Sequence, residues 1–252
     1  MKSKLNELVK QSNIGDKMPL IIQAAFCCLL WGTAVPTLKI SYRILEIPTG
    51  DIFNRLVLAG IRFLLAGVFI GLYIWLIEKK TPVVKASHWK MIIIFGLLNT
   101  TLQYMFFYTG VGNTGAVKSA LIDASKPLMV VILAHFFIKD DHFNLSKIIG
   151  LSVGFLGVGI ANMEKVTSGG IDFSLSFMGE GMLIISSLAS AIAVIYGKMI
   201  MKQLSSTVLN MYQMLIGASI LLTVGLIGAG GYHLNFNGQA VLLLIYSAIL
   251  SA

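Results

Sequence analysis

The chain has 252 residues, 56% of them hydrophobic and 12% charged, with a formal net charge of +8. A soluble globular domain carries about 25% charged residues, so this balance, with a mean hydropathy of +0.84, excludes an ordinary soluble domain. The lysines flank apolar segments instead of forming one patch, which excludes a nucleic-acid footprint and assigns the basic surplus to membrane topology.

Residues 1–18, "MKSKLNELVKQSNIGDKM", are polar and basic. No A-x-A-like cleavage site follows and many further apolar runs do, so the first apolar segment is expected to be retained. Runs of about 20 apolar residues then mark the spans. The first is Leu20 to Ser41, where Pro36 should kink the helix or break its last turn. Cys27 and Cys28 are adjacent within it and read as buried small hydrophobes. The second span is Ile52 to Ile77 and the third Trp89 to Val111, separated by the polar "EKKTPVVKASHWK". After the "GNTG" turn comes the fourth, Ala116 to Ile138, then "KDDHFNLSK" and a short glycine-rich fifth, Ile148 to Met163. The loop "EKVTSGGIDFSLSF" leads to the sixth, Gly179 to Met201, the seventh, Thr207 to Ala229, and an eighth from Gln239. A helix from Gln239 to Ala252 is about 21 Å long against a hydrocarbon core of about 30 Å. Its last carbonyls would lie in lipid, so the intact protein is expected to continue. The fold class is therefore an all-α polytopic membrane protein.

Lys2, Lys4, Lys10, Lys17, Lys79, Lys80, Lys85, Lys90, Lys139, Lys147, Lys198 and Lys202 border one set of alternate loops. The opposite set has Lys165, with Lys39, Arg43 and Arg55 as the exception in the first loop. This asymmetry places the N-terminus in the cytoplasm. At an offset near 150 residues, Arg62 in "IRFLLAG" falls opposite Gln213 in "YQMLIGA" and Lys39 opposite Lys198. Five spans per unit is odd, so the second unit must be inverted, an arrangement found in secondary transporters.

The segments "WGTAVPTLK", "LAGIRFLLAG" and "TGVGNTGAVKSALIDASKPLMVVILAHFFIKDDHFNLSKIIGLSVGFLGVGI" resemble the EamA-type drug/metabolite transporter superfamily. The resemblance covers most of the chain. It implies about ten helices in two inverted five-helix repeats, about seven and a half of them here, and transport of small solutes such as amino acids or metabolites, often outward. The expected division is a cytoplasmic segment 1–18, a first repeat 19–164 and a truncated second repeat 178–252. One departure is that the family's fourth span usually has small or apolar residues before its "P-L", where this chain has Asp123 and Lys126.

The fourth span carries the most informative charges. At about 100° per residue, Lys118, Ser119, Asp123, Ser125 and Lys126 share a stripe about 160° wide, which should face the bundle interior or a water-filled cavity. Asp123 and Lys126 can pair at i,i+3. The bland alternative is a self-neutralising pair with Lys118 snorkelling to the interface. Arg62 lies about 16 Å along its helix from Asp51, near the midplane. Its partner could be Asp123, a substrate carboxylate, or a structural group. Arg55 and Asp51 are expected to be solvated positioning residues.

In the third span Asn99 and Gln103 form an i,i+4 pair, as do Tyr104 and Tyr108; interhelical hydrogen bonding is the competing explanation, favoured for Asn99. Trp31, with Gln23 and Cys27, reads either as a cavity wall or as buried packing. Ser186, Ser190, Tyr196, Asn210 and Gln213 are candidates in the sixth and seventh spans, where small residues more often serve packing. His135, Asp140, Asp141 and His142 could be imagined as a metal site, but solvation at a membrane border explains them, so none is expected. No Walker A, nucleophile elbow, dinucleotide loop or H-E-x-x-H is present, and no cofactor is expected.

These residues predict a secondary transporter of a small polar metabolite, an amino acid or other carboxylate-bearing solute, in the plasma membrane. Trp31, Arg62, Asn99, Gln103, Tyr104, Lys118, Asp123, Lys126 and Gln213 would line the pathway, and Asp123 would carry a proton if protons drive the process. The alternative is a membrane-embedded sensor or enzyme without transport activity.

Overall fold

A computed structural model describes residues 20–79, 82–137, 145–161, 175–231, 234 and 236–252. Among the described residues all regular structure is helical. Helices α1 (Leu20–Gly32) and α2 (Ala34–Ile44) form the first span. Helix α3 (Ile52–Tyr73) runs on through a π turn, Ile74–Glu78. A 3-10 turn, Ala86–His88, opens the third span, in which α4 (Trp89–Gly96) and α5 (Gln103–Asn113) are joined by a π-helical stretch, Leu97–Leu102. Helices α6 (Ala116–Asp123), α7 (Lys126–Phe137) and α8 (Leu145–Ala161) follow. A π turn, Phe177–Gly181, leads into α9 (Met182–Ile200), then α10 (Ser206–Gly228) and α11 (Gly238–Ser251). Five described segments are long and apolar enough to cross a membrane: Ile52–Glu78, Ala86–Asn113, Ala116–Phe137, Phe177–Ile200 and Ser206–Gly228.

Local chemistry sets the helix ends. Asp51 caps α3, accepting from the Asn54 backbone N–H at 3.1 Å, and Asn237 caps α11 through the Ala240 N–H at 2.8 Å. The first span breaks at Thr33, earlier than the last-turn break that Pro36 predicted. Pro36 has no N–H for the Gly32 carbonyl, so α1 ends at Gly32 and Pro36 falls in the first turn of α2, where that N–H is not needed. Thr33 covers the frayed end, its hydroxyl donating to the Leu30 carbonyl at 2.7 Å.

The centre of the bundle is an antiparallel contact between α3 and α10 along their length. A Cβ on Gly60 would lie 2.7 Å from the Leu222 backbone nitrogen, and one on Gly225 2.7 Å from that of Val57. Near one end Gly67 meets Leu215. Glycines let the two backbones approach where lipid offers no hydrophobic drive for association. Helix α4 packs on α10 as α11 packs on α3, and α5 packs on α9 as α11 packs on α2. These contacts gather the third and eighth spans on either side of the α3–α10 crossing.

Helices α1 and α8 present apolar side chains outward, among them Phe26, Leu29, Val153 and Leu156. Cys27 and Cys28 are exposed on this chain, not buried as the sequence led us to expect. In a bilayer an outward face meets hydrocarbon, so an apolar residue gains little by turning inward.

Candidate functional site

The fourth span is not one helix. Pro127 supplies no N–H to the Asp123 carbonyl, and the ladder breaks there. The Ala124 N–H still reaches the Ala120 carbonyl at 2.9 Å, but the Ser125 N–H turns to that of Ile122 at 3.0 Å. Asp123 therefore ends α6, Lys126 begins α7, and the two form an ion pair across the gap. Each charge opposes its own helix: a carboxylate sits at a C-terminus and an ammonium at an N-terminus. Their mutual attraction is what holds them.

Aromatic rings complete the setting. The Lys126 Nζ lies 4.8 Å from the Phe107 ring centroid and 5.9 Å from that of Trp31. Trp31 is 57% exposed, so the buried packing role weighed for it does not apply. It stands beside the Thr33 break, where the Thr33 hydroxyl meets the Tyr246 hydroxyl at 3.0 Å. The breaks of the first and fourth spans thus face one another across Trp31 and Lys126. The predicted polar stripe turns inward, with Ser119 and Lys126 buried, while Leu128 and Phe136 face out.

Arg62 is buried on α3 and does not pair with Asp123. Its Nε donates to the Ser247 carbonyl at 3.1 Å and the Ser251 hydroxyl at 3.0 Å, and its Nη1 to the Tyr108 hydroxyl at 3.1 Å. These partners are neutral, so the guanidinium joins α3, α5 and α11 while keeping its full charge. Tyr104 packs on Phe63 with ring centroids 4.1 Å apart and planes inclined by 43°. Arg62→Lys keeps the charge but loses the planar fork. We expect it to cost about 1.5–3 kcal/mol per charge-assisted bond lost, measured by reversible unfolding in mixed micelles.

Lys118 does not snorkel. It pairs at 2.7 Å with Glu180, a residue the sequence reading passed over. Glu180 is 5% exposed, also accepts from the Ser176 N–H at 2.7 Å, and lies 3.5 Å from the Thr114 hydroxyl. The one available signal was a lone carboxylate opening an apolar span, in "SFMGEGML". Arg55 is likewise not solvated. It is 2% exposed, donates to the Pro48 carbonyl at 2.9 Å and lies over the Tyr42 ring. Lys39 donates to the Val111 and Thr114 carbonyls at the end of α5, where a cation complements the helix dipole.

Asn99 and Gln213 belong to a separate polar node. The Gln213 Oε1 accepts from the Asn99 Nδ2 at 2.9 Å and the Thr100 hydroxyl at 2.8 Å, tying the π-helical stretch to α10. Gln103 is buried, and its carbonyl accepts from the Ser186 hydroxyl at 2.9 Å. Asp140, Asp141 and His142 lie outside the described residues. Among the described residues no group of His, Cys, Asp or Glu could hold a metal ion.

A family model for EamA-like transporters matches residues 18–163 of this chain. The chain belongs to the EamA-like transporter family. With its apolar spans, this makes it a multi-pass membrane protein. This EamA-like chain is 27% identical over 230 residues to a chloroplastic WAT1-related protein of Arabidopsis thaliana, covering 88% of this chain and 52% of that protein. It is 27% identical to the uncharacterized transporter YoaV of Bacillus subtilis, covering 88% and 72% of the two chains. Identity to an uncharacterized transporter of Archaeoglobus fulgidus is 23%, covering 90% and 75%. The EamA-like chain thus spans about half the length of the Arabidopsis relative. No solved structure matches it.

Proposed function

We propose that this EamA-like chain belongs to a secondary transporter, an exporter or permease, that moves a small carboxylate-bearing metabolite across the plasma membrane by alternating access. The observation that carries the reading is the pair of facing helix breaks, with an ion pair and an exposed tryptophan between them. Broken helices near the midplane are where transporters place their substrate sites. Charge supports a carboxylate. Asp123 and Lys126 cancel, Lys118 and Glu180 cancel, and Arg62 remains with neutral hydrogen-bond partners. Arg62 stands outside the Asp123–Lys126 pair, and its positive potential favours an anionic group on the solute. Asp123 is the proton carrier in this reading, and the basic loops support a cytoplasmic N-terminus.

Uptake of labelled amino acids and monocarboxylates into proteoliposomes, with and without a proton gradient, tests this. Transport of at least one compound is expected, falling at least tenfold in Arg62→Ala with Asp123→Asn. An unchanged rate in that double variant would remove these residues from the pathway.

A further inference from the structure

Among the described residues there are two buried ion pairs, and they differ in how firmly the acid is held. Glu180 is fixed by the Lys118 ammonium and the Ser176 N–H, with the Thr114 hydroxyl beside it. Asp123 has one ionic partner, Lys126, and among the described residues no hydrogen bond from a neutral group holds it. Its side chain is 14% exposed, with Oδ1 buried in the ion pair. Asp123 also ends a broken half-helix, where its charge is disfavoured.

Now let a carboxylate approach the Lys126 ammonium between Trp31 and Phe107. Two carboxylates would then share one cation. Like charges so placed cannot both stay ionised, and one takes a proton. The incoming carboxylate takes the ammonium, and Asp123, whose charge opposes the end of its own helix, takes the proton. The other ionisable groups around Asp123 do not substitute for it. Arg62 is bound to Tyr108, Tyr104 packs on Phe63, and Lys39 is spent on the end of α5.

Resting on the transport reading above, we propose that substrate carboxylate and proton bind together. The carboxylate takes the Lys126 ammonium, and Asp123 accepts one proton from water on the open side. Releasing the carboxylate returns that proton and restores the Asp123–Lys126 pair. Binding of either partner strengthens binding of the other, because linkage is reciprocal. The empty carrier reorients with the pair closed. The loaded carrier reorients with one proton per carboxylate. Neither step leaves a buried ammonium without an anion, the costly arrangement in low dielectric. A monocarboxylate therefore crosses as a neutral unit.

The test uses the full-length protein in proteoliposomes holding a trapped pH indicator, with a panel of labelled monocarboxylates and amino acids. Each transported carboxylate should bring one proton, and monocarboxylate flux should not respond to an imposed membrane potential. Asp123→Asn should lose proton flux and acid-driven accumulation at least tenfold, with thermal unfolding in detergent reporting that it folds. Asp123→Asn with Lys126→Gln removes both charges and should lose uptake and proton flux together. Proton-coupled uptake surviving in either variant, or wild-type uptake without protons, overturns joint binding and leaves the transport reading standing. Failure of the wild type to move any compound in the panel overturns the transport reading instead.

Discussion

Lys126→Met is expected to destabilise the folded protein by about 3–5 kcal/mol, whereas Lys126→Met combined with Asp123→Leu should recover most of that loss. The asymmetry follows from what each change leaves behind. The single variant strands a carboxylate whose side chain is 14% exposed and which has no other ionic partner among the described residues. The double variant removes both desolvated charges and replaces them with side chains suited to lipid or core. Both variants should lose transport, because the cation under the Phe107 and Trp31 rings is gone. Reversible unfolding in mixed micelles, read beside proteoliposome uptake, separates the two effects. A single variant as stable as the double would mean that the pair is not buried together in the folded protein.

The second large effect is expected at the helix crossing. Gly60→Ala should cost about 1–3 kcal/mol or more, and Gly225→Ala a similar amount. A Cβ on Gly60 would stand 2.7 Å from the Leu222 nitrogen and 2.8 Å from its Cα, and backbone cannot rotate away as a side chain can. The two helices must part, and the contact that joins α3 to α10 loosens along its length. Gly150→Ala on α8 is the control, since nothing lies within 4 Å of the added carbon. It should leave stability unchanged or raise it by up to about 1 kcal/mol, the helix-propensity gain of Ala over Gly. Thermal unfolding of the three variants in one detergent checks the ranking.

The Asp123–Lys126 pair was legible because it is local. Residues three apart on a helix are neighbours whatever the rest of the chain does, and the pair survives even though the helix breaks between them. The Lys118–Glu180 pair was not legible, because its partners meet only when α6 docks against the start of α9. Arg62 shows the same limit. Its depth could be counted from Asp51, but its acceptors come from α5 and α11. The helix breaks were half legible. Pro36 and Pro127 announce missing N–H groups, yet each break opens upstream, near the carbonyl left without a donor.

Taken by itself, the sequence determined the apolar spans, the inward polar stripe on the fourth and the i,i+3 pair within it. Those depend on hydrocarbon thickness and helical period, which act on short stretches. Only the tertiary structure decided which charges are neutralised and by what. It set Glu180 against Lys118, left Arg62 among neutral acceptors, and brought Trp31 up to Lys126. Those outcomes rest on contacts between segments far apart in sequence. In a low-dielectric interior, the partner a charge finds there determines whether it is fixed in place or open to exchange.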